Sequence, residues 1–280
     1  MASEIQPRVC LVVLVGLPGV GKTTFCNKLN AFLTENESAS ELKLGLLHVC
    51  YDKLLPISTQ KEMAWSAKKE DRDPTLVGQL ENEENFKSCR KNFVAMTDKI
   101  ICSFKQRLDI QESDQFTKSI QWQYDNALKK DDVLIVIDDN NYYHSMRYEY
   151  FQLARHRTTG FCEIYFKPDN LQTVFFNNSK RLDDEKIPEK VINSMNNRIE
   201  PPNPFQNPWE QFSFSISVQS TETNNTMYNL EMCLDVIKAA LDNPVEPLPA
   251  TPPDKTVEAK EQSRKICSTN VYHTSDKILR

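Results

Sequence analysis

The chain has 280 residues, with 34 lysines and arginines against 39 aspartates and glutamates, for a formal net charge of −5. That balance excludes a polycation that coats nucleic acid without selectivity, so any RNA contact must come from a local patch. The eight cysteines are scattered, without a Cys-x-x-Cys pair or metal-ligand spacing to the four histidines, which predicts reduced and mostly buried thiols. No apolar run approaches the ~18 residues that span a bilayer, so we predict a cytoplasmic protein without membrane or DNA partners.

Hydrophobic patterning predicts strands that alternate with helices along most of the chain. Continuous apolar runs indicate buried strands, and apolar residues at helical spacing indicate the helices between them. Alternation of this kind favours a parallel sheet with right-handed crossovers. The predicted strands are 9–15, 42–51, 133–137, 161–166 and 212–218, and the predicted helices are 23–33, two or three within 61–130, 146–156, one ending near 178, 188–198 and 226–241.

The first predicted strand runs directly into Gly16-Leu17-Pro18-Gly19-Val20-Gly21-Lys22-Thr23. Glycines in this pattern let backbone N–H groups curl around phosphate oxygens at a helix N-terminus. An ordinary glycine turn is the alternative, but a strand before and a helix after favour a phosphate-binding loop. We therefore predict ATP as the cofactor, with Lys22 reaching the β and γ phosphates and Thr23 holding Mg²⁺. The predicted nucleotide-binding residues are Gly16, Leu17, Pro18, Gly19, Val20, Gly21, Lys22, Thr23 and Thr24.

Two aspartates, Asp138 and Asp139, end the third predicted strand. Carboxylates at this position can orient Mg²⁺, directly or through its water, opposite the loop hydroxyl. The alternative is an Asp-Asn turn whose side chains cap the next helix. With Thr23, these two residues form the predicted metal site.

Asp52 follows the second predicted strand, where a carboxylate could accept the proton of an attacking hydroxyl. The alternative for Asp52 is a loop cap. Basic residues further on could neutralise phosphoryl charge or hold an RNA backbone, although a solvated face explains any one of them as well. Arg181 is the preferred candidate among these residues, which are Arg147, Arg155, His156, Arg157, Lys180, Arg181 and Arg198. Lys22, Asp52 and Arg181 are thus the predicted catalytic residues.

These observations predict an α/β fold of the P-loop NTPase kinase-like type, with a mostly parallel sheet, flanking helices and a short C-terminal helical appendage. The kinase domain is predicted to span 1–242 and to include a lid at about 168–205. Five prolines between 243 and 254 indicate a linker over 243–259. Residues 260–280 carry five basic and two acidic residues and form a basic tail.

The order of several short segments resembles the L-seryl-tRNA(Sec) kinase family. The segments are Gly16–Thr23, Tyr51-Asp52, Ile137-Asp138-Asp139-Asn140-Asn141-Tyr142-Tyr143, Ser145-Met146-Arg147-Tyr148-Glu149, Gly160-Phe161-Cys162, Pro202-Asn203-Pro204, Trp209-Glu210 and Ile266-Cys267-Ser268-Thr269-Asn270. The resemblance implies ATP- and Mg²⁺-dependent transfer of the γ-phosphate to the seryl hydroxyl of serine-charged selenocysteine tRNA. It also implies that Asp52 is the catalytic aspartate.

The chain departs from that family in two places. The family's lid tends to carry two arginines four residues apart, and here Asn177 stands at the first position while Arg181 keeps the second. Losing one cation from a phosphoryl clamp is expected to slow transfer unless Lys180 substitutes for it. The resemblance also implies that relatives continue past Arg280 in a helical extension associated with tRNA binding, so that 260–280 is the start of that region.

Three other functions fit the same residues. The elongator-associated ATPases share the phosphate loop and a similar Asn-Tyr and Arg-Tyr segment, and they bind tRNA without phosphorylating it. A small-molecule or polynucleotide kinase is the second alternative, because the fold does not fix the acceptor. The third is a catalytically inactive tRNA-binding module, which follows from Asn177 and the position of the C-terminus.

Overall fold

The computed structural model describes residues 7–35, 43–54, 77–109, 115–183, 185–218 and 228–249. These residues form five strands and eight α-helices, with one to three of these helices between successive strands. The strands are β1 (Arg8–Val15), β2 (Leu44–Cys50), β3 (Asp132–Asp138), β4 (Gly160–Pro168) and β5 (Ser213–Val218). The helices are α1 (Lys22–Glu35), α2 (Tyr51–Leu54), α3 (Val77–Gln106), α4 (Gln115–Leu128), α5 (His144–Arg157), α6 (Leu171–Ser179), α7 (Glu189–Asn196) and α8 (Leu230–Asp242).

The five strands form one sheet in the order β2-β3-β1-β4-β5, and every pair is parallel. The crossover after β1 leads to the β2 side of the sheet, and the crossover after β3 leads to β4 on the other side of β1. The carboxyl ends of β1 and β3 are therefore neighbours at a point where the winding reverses, which is where ligands bind in open α/β sheets. The predicted phosphate loop and the predicted magnesium aspartates lie at these two ends.

Both faces of the sheet are covered, and the alternation of β1 shows how. Cys10, Val12 and Leu14 join a core with residues of α1, α6, α7 and α8, whereas Val9, Leu11 and Val13 join a second core with residues of α3, α4 and α5. A strand that is buried on both faces needs apolar residues at every position. This explains the uninterrupted apolar run that predicts the strand.

The predicted α/β fold with a mostly parallel sheet is confirmed, with differences at the element ends. The second strand ends at Cys50 rather than Tyr51, because Tyr51 begins the short helix α2. Within the predicted helical region 61–130, the described part contains α3 and α4; residues 55–76 lie outside the described residues. Helix α3 runs unbroken for 30 residues, since no proline interrupts its sequence.

The predicted lid, at about 168–205, contains α6 and α7. Helix α6 begins at an asparagine cap, where the Asn170 side chain accepts a hydrogen bond from the Thr173 backbone N–H at 3.1 Å. Contacts divide the chain into a unit of residues 1–246 and a second unit of residues 247–280, and most of the predicted linker and all of 260–280 lie outside the described residues. None of the described helices is long and apolar enough to cross a membrane.

Candidate nucleotide and phosphoryl-transfer site

The loop between β1 and α1 has the backbone that a phosphate cradle requires. Gly19 and Gly21 adopt φ values of 80° and 104°, in the left-handed region that favours glycine. Neither position has room for a side chain. A Cβ on Gly21 would lie 2.7 Å from the Tyr228 hydroxyl, and one on Gly19 would lie 2.9 Å from the Val174 carbonyl oxygen. The Tyr228 hydroxyl also donates a hydrogen bond to the Gly21 carbonyl at 3.0 Å. Both glycines are therefore required by conformation and by close packing.

Lys22 is folded back over the loop. Its Nζ donates to the carbonyl oxygens of Gly16 at 3.0 Å and Leu17 at 2.8 Å, and to Asn140 Oδ1 at 3.0 Å. Burial lowers the pKa of Lys22, and the nearby charges of Asp138 and Asp139 oppose that shift. A cation held at the loop by neutral oxygens can exchange them for phosphate oxygens, which bind it more strongly.

The end of β3 is tied to both α1 and β2. The Thr23 hydroxyl donates to Asp138 Oδ2 at 2.7 Å, and His48 Nε2 lies 2.9 Å from the same oxygen. Burial alone would raise the pKa of Asp138, but the hydrogen bond from His48 and the charge of Lys22 outweigh it, so the pKa is lowered. Asp138 is therefore held as a carboxylate beside the loop hydroxyl.

Asp139 turns the other way and meets helix α3. Its Oδ2 accepts a hydrogen bond from Arg90 Nη1 at 3.0 Å, and its Oδ1 accepts one from the Asn140 backbone N–H at 2.6 Å. The Arg90 guanidinium also lies 5.9 Å from the centre of the Tyr51 ring, a cation–π distance. Both carboxylate oxygens of Asp139 are thus engaged by the protein.

Across the cleft, Arg181 faces Asp52. Arg181 Nη2 lies 3.8 Å from Asp52 Oδ2, and the Asp52 side chain is half exposed. Burial raises the pKa of Asp52, and the Arg181 charge opposes this shift. Asn177, at the position where a first lid arginine is expected, donates from Nδ2 to the Gly19 carbonyl at 3.0 Å. The asparagine therefore ties α6, which lies in the predicted lid, to the phosphate loop instead of supplying a charge.

These groups share one cleft of about 490 Å³. Its floor is polar, and one wall is apolar where α7 and the chain before it contribute Ile187, Val191 and Met195. A pocket of several hundred cubic ångströms with a few convergent polar groups is typical of ligand sites. The lining residues from the sequence predictions are Pro18, Gly19, Val20, Gly21, Lys22, Thr23, Thr24, Asp52, Asp138, Asp139, Lys180 and Arg181.

The donor set fits a magnesium ion. Mg²⁺ prefers oxygen ligands and keeps several waters, and the cleft offers the Thr23 hydroxyl with the carboxylates of Asp138 and Asp139. Asp138 Oδ1 makes no hydrogen bond with any described residue, so it is available to a magnesium-bound water. Cys26, His48 and Asp138 also lie within 4.8 Å of one another, a grouping that the spacing of cysteines and histidines along the sequence does not reveal.

Some residues that the sequence predicts for nucleotide or phosphate binding lie away from the cleft or act only through their backbone. The Leu17 and Val20 side chains are buried in the core, so these two residues contribute backbone groups to the loop. Arg147 is fully buried between the carboxylates of Glu163 and Glu210, with Nε 3.2 Å from Glu163 and Nη2 2.7 Å from Glu210. The suggestion that Arg147 holds phosphate or RNA is therefore wrong, because no face of its side chain is open.

Two of the remaining basic candidates on α5, Arg155 and Arg157, are also engaged away from the cleft. Arg157 pairs with Asp98 at 2.5 Å, and the Arg155 guanidinium lies 4.7 Å from the centre of the Phe151 ring. Neither residue lines the cleft.

The sequence patterns did not assign four residues near the cleft to the site: His48, Arg90, Asn140 and Tyr228. Asn140 offered the clearest signal, because it is a polar residue directly after a buried strand whose carboxyl end meets the loop. Its carbonyl accepts from the Gly16 N–H at 3.0 Å, in addition to its side-chain contact with Lys22. His48 interrupts the apolar run of β2, whereas Arg90 and Tyr228 reach the site only through tertiary packing.

Comparison with known proteins places these features in a family. A family model described as "Chromatin associated protein KTI12" matches residues 9–278. L-seryl-tRNA(Sec) kinase of Mus musculus is 31% identical over 293 residues, which covers 98% of this chain and 75% of the mouse protein. The Homo sapiens protein of the same name is 30% identical over 286 residues, covering 96% of this chain and 75% of the human protein.

Among solved structures, Kti12 of Chaetomium thermophilum in complex with ADP-AlF3 is similar with a TM-score of 0.47 and 19% identity, covering 82% of this chain and 98% of that one. The chain belongs to the family that the KTI12 model describes and to that of its L-seryl-tRNA(Sec) kinase relatives.

Proposed function

We propose that this protein is an ATP- and Mg²⁺-dependent kinase that phosphorylates the seryl hydroxyl of serine-charged selenocysteine tRNA. One observation carries the proposal: Asp52 and Arg181 face each other at 3.8 Å in the same cleft that holds Lys22. A nucleotide-binding module without transfer activity has no need of a carboxylate and a cation at the acceptor side. The names of the mouse and human relatives support this acceptor over others.

The cleft residues divide the reaction between them. Lys22 and the loop N–H groups hold the β and γ phosphates, and Thr23, Asp138 and Asp139 would hold Mg²⁺, which neutralises phosphate charge when bound. The seryl oxygen forms a bond to the γ-phosphorus while the bond to the β–γ bridging oxygen breaks, and ADP leaves. Asp52 accepts the seryl proton, and Arg181 stabilises the charge of the transferring phosphoryl group.

The proposal extends to the domain organisation and to the location of the protein in the cell. Residues 1–242 are the kinase domain with its lid at about 168–205, 243–259 are a linker, and the basic segment 260–280 contacts tRNA. A cytoplasmic location is part of the same proposal.

The test is transfer of label from γ-labelled ATP in the presence of Mg²⁺. Serine-charged selenocysteine tRNA is compared with serine-charged ordinary serine tRNA and with uncharged selenocysteine tRNA. Label on the seryl group of the first substrate alone is the expected result. ATP hydrolysis that tRNA stimulates without labelling it would overturn the proposal in favour of an elongator-associated type of ATPase, and label on a free small molecule would favour a different acceptor.

Two variants connect the assay to the cleft. Asp52→Asn is expected to leave ATP affinity nearly unchanged and to lower kcat by roughly 10²–10⁴-fold, as loss of a general base does. Lys22→Ala is expected to abolish transfer, because it removes a charge-assisted contact to the phosphates. An unchanged kcat in Asp52→Asn would remove Asp52 from the mechanism.

A further inference from the structure

His48 is a buried polar residue in an otherwise apolar strand. Strand β2 reads LGLLHVC, and all seven of its residues are buried. The His48 side chain is 7% exposed, and its Nε2 lies 2.9 Å from Asp138 Oδ2. A buried imidazole costs free energy unless its polar atoms make hydrogen bonds. The contact with Asp138 therefore accounts for a histidine at this buried position.

The proton in this contact belongs to His48. The Asp138 carboxylate is an acceptor only, so Nε2 must carry the hydrogen and donate it. Asp138 Oδ2 also accepts from the Thr23 hydroxyl at 2.7 Å, which gives this oxygen two donors from two different elements. Asp138 Oδ1, in contrast, makes no hydrogen bond with any described residue, and Asp138 lines the nucleotide cleft.

Strand β2 holds the histidine rigidly. The ladder between β2 and β3 pairs His48 with Val136 and Cys50 with Asp138, and the His48 backbone N–H donates to Gln123 Oε1 of α4 at 2.9 Å. Beyond Cys50 the chain continues into α2, which carries Asp52. The donor to Asp138 and the acceptor-side aspartate therefore belong to one continuous segment.

We propose that His48 is a positioning residue for the magnesium site, which rests on the Mg²⁺ dependence of the proposed function but not on its tRNA acceptor. By donating to Oδ2, His48 fixes the rotamer of Asp138 and leaves Oδ1 directed to the magnesium water shell. Hydrogen-bond partners of this kind orient metal-site carboxylates, and their loss typically costs about 10–100-fold in metal affinity.

A rival reading treats Cys26, His48 and Asp138 as ligands of a transition metal, since their ligand atoms lie within 4.8 Å of one another. The hydrogen bonds argue against it. Nε2 has no lone pair to offer while it donates, and Oδ2 already accepts from two donors.

The experiment measures ADP affinity by calorimetry at a series of Mg²⁺ concentrations and in EDTA. His48→Gln and His48→Asn form a matched pair, because the glutamine amide nitrogen can reach the place of Nε2 whereas that of asparagine falls short. We expect equal ADP affinity for parent and variants in EDTA. The Mg²⁺ concentration for half-maximal gain in affinity should rise about tenfold in His48→Asn and stay within about twofold in His48→Gln.

Equal Mg²⁺ dependence in all three proteins would overturn the proposal, as would an equal loss of ADP affinity by both variants in EDTA, which is the mark of a structural role. Stoichiometric Zn²⁺ binding that Cys26→Ala abolishes would establish the rival reading.

If the variants do not fold, nitrogen NMR of the His48 ring in the unmutated protein decides the question. A protonated Nε2 is expected, and an unprotonated Nε2 refutes the proposal. Because no arm uses tRNA, failure of the kinase proposal leaves this test intact.

Discussion

Replacing Glu163 by glutamine should make the protein less sensitive to alkaline pH. Glu163 and Glu210 share the single cation Arg147, and all three side chains are buried. The pKa of Glu163 is raised from 4.5 to about 8, because burial, the largest cause, outweighs the opposing charge of Arg147, and the neighbouring Glu210 also acts to raise it. Only one of the two carboxylates is neutralised by the arginine, so the triad is favourable when Glu163 keeps its proton.

The sign of the pH dependence follows from the proton count. Between pH 4.5 and about 8 the folded state keeps the Glu163 proton that the unfolded state has lost, so the free energy of unfolding falls as pH rises. The loss is at most ~1.4 kcal/mol per pH unit, or on the order of 5 kcal/mol over the whole window. Glutamine is uncharged at every pH and still offers an oxygen to Arg147 Nε, although its amide N–H2 must replace Glu163 Oε2, which has no described partner.

The assay is urea unfolding at pH 5, 6, 7, 8 and 9, with parent and Glu163→Gln compared at each pH. The free energy of unfolding of Glu163→Gln minus that of the parent should rise by about 2–4 kcal/mol from pH 5 to pH 8 and then level off. Comparison with the parent cancels the contributions of all other titrating groups. A difference that stays flat, or that moves in favour of the parent, would refute the reasoning.

Glu210→Gln is the matched control. Glu210 accepts hydrogen bonds from Arg147 Nη2 at 2.7 Å, from the Asn203 N–H at 2.7 Å and from Asn207 Nδ2 at 3.1 Å. Because both of its oxygens are used, this variant should be destabilised by about 1–3 kcal/mol near neutral pH. It also removes one cause of the raised pKa of Glu163, so unfolding should depend less on pH than in the parent.

Three further predictions concern the cleft. Gly21→Ala should fold but lose ADP binding measured by calorimetry, because φ at this position is 104° and the new Cβ would lie 2.7 Å from the Tyr228 hydroxyl. An ADP affinity equal to that of the parent would contradict the role of the loop as a phosphate cradle. Asn177→Ala should weaken ADP binding about 3–10-fold through loss of one hydrogen bond to the Gly19 carbonyl, and an unchanged Kd would show that this tie is dispensable. Arg181→Met removes the charge that holds down the pKa of Asp52, so the acid limb of the kcat–pH profile should move to higher pH, and a shift to lower pH would rule out Asp52 as the base.

The fold was accessible from the sequence because strands buried on both faces leave a simple signal. Val9–Val15 precedes the glycine loop, and the apolar run of β3 is equally continuous. In β4 only Glu163 interrupts the apolar residues from Phe161 to Phe166. The start of α2 at Tyr51 was missed, since a four-residue helix has no periodicity to detect. Arg147 was misjudged because its charge suggested a surface position, although its spacing from Tyr150, Phe151 and Ala154 puts it on the buried face of α5. Only the packing against Glu163 and Glu210 shows how the buried charge is paired.

The sequence alone determined the parallel α/β fold, the phosphate loop and the positions of Asp52, Asp138 and Asp139 at strand ends, because local patterns encode these features. Only the tertiary structure decided which side chains meet across elements. His48 reaches Asp138 across neighbouring strands, Arg90 reaches Asp139 from α3, and Tyr228 closes on Gly21 from 207 residues away. Such contacts depend on strand order and helix packing, which no spacing along the chain records.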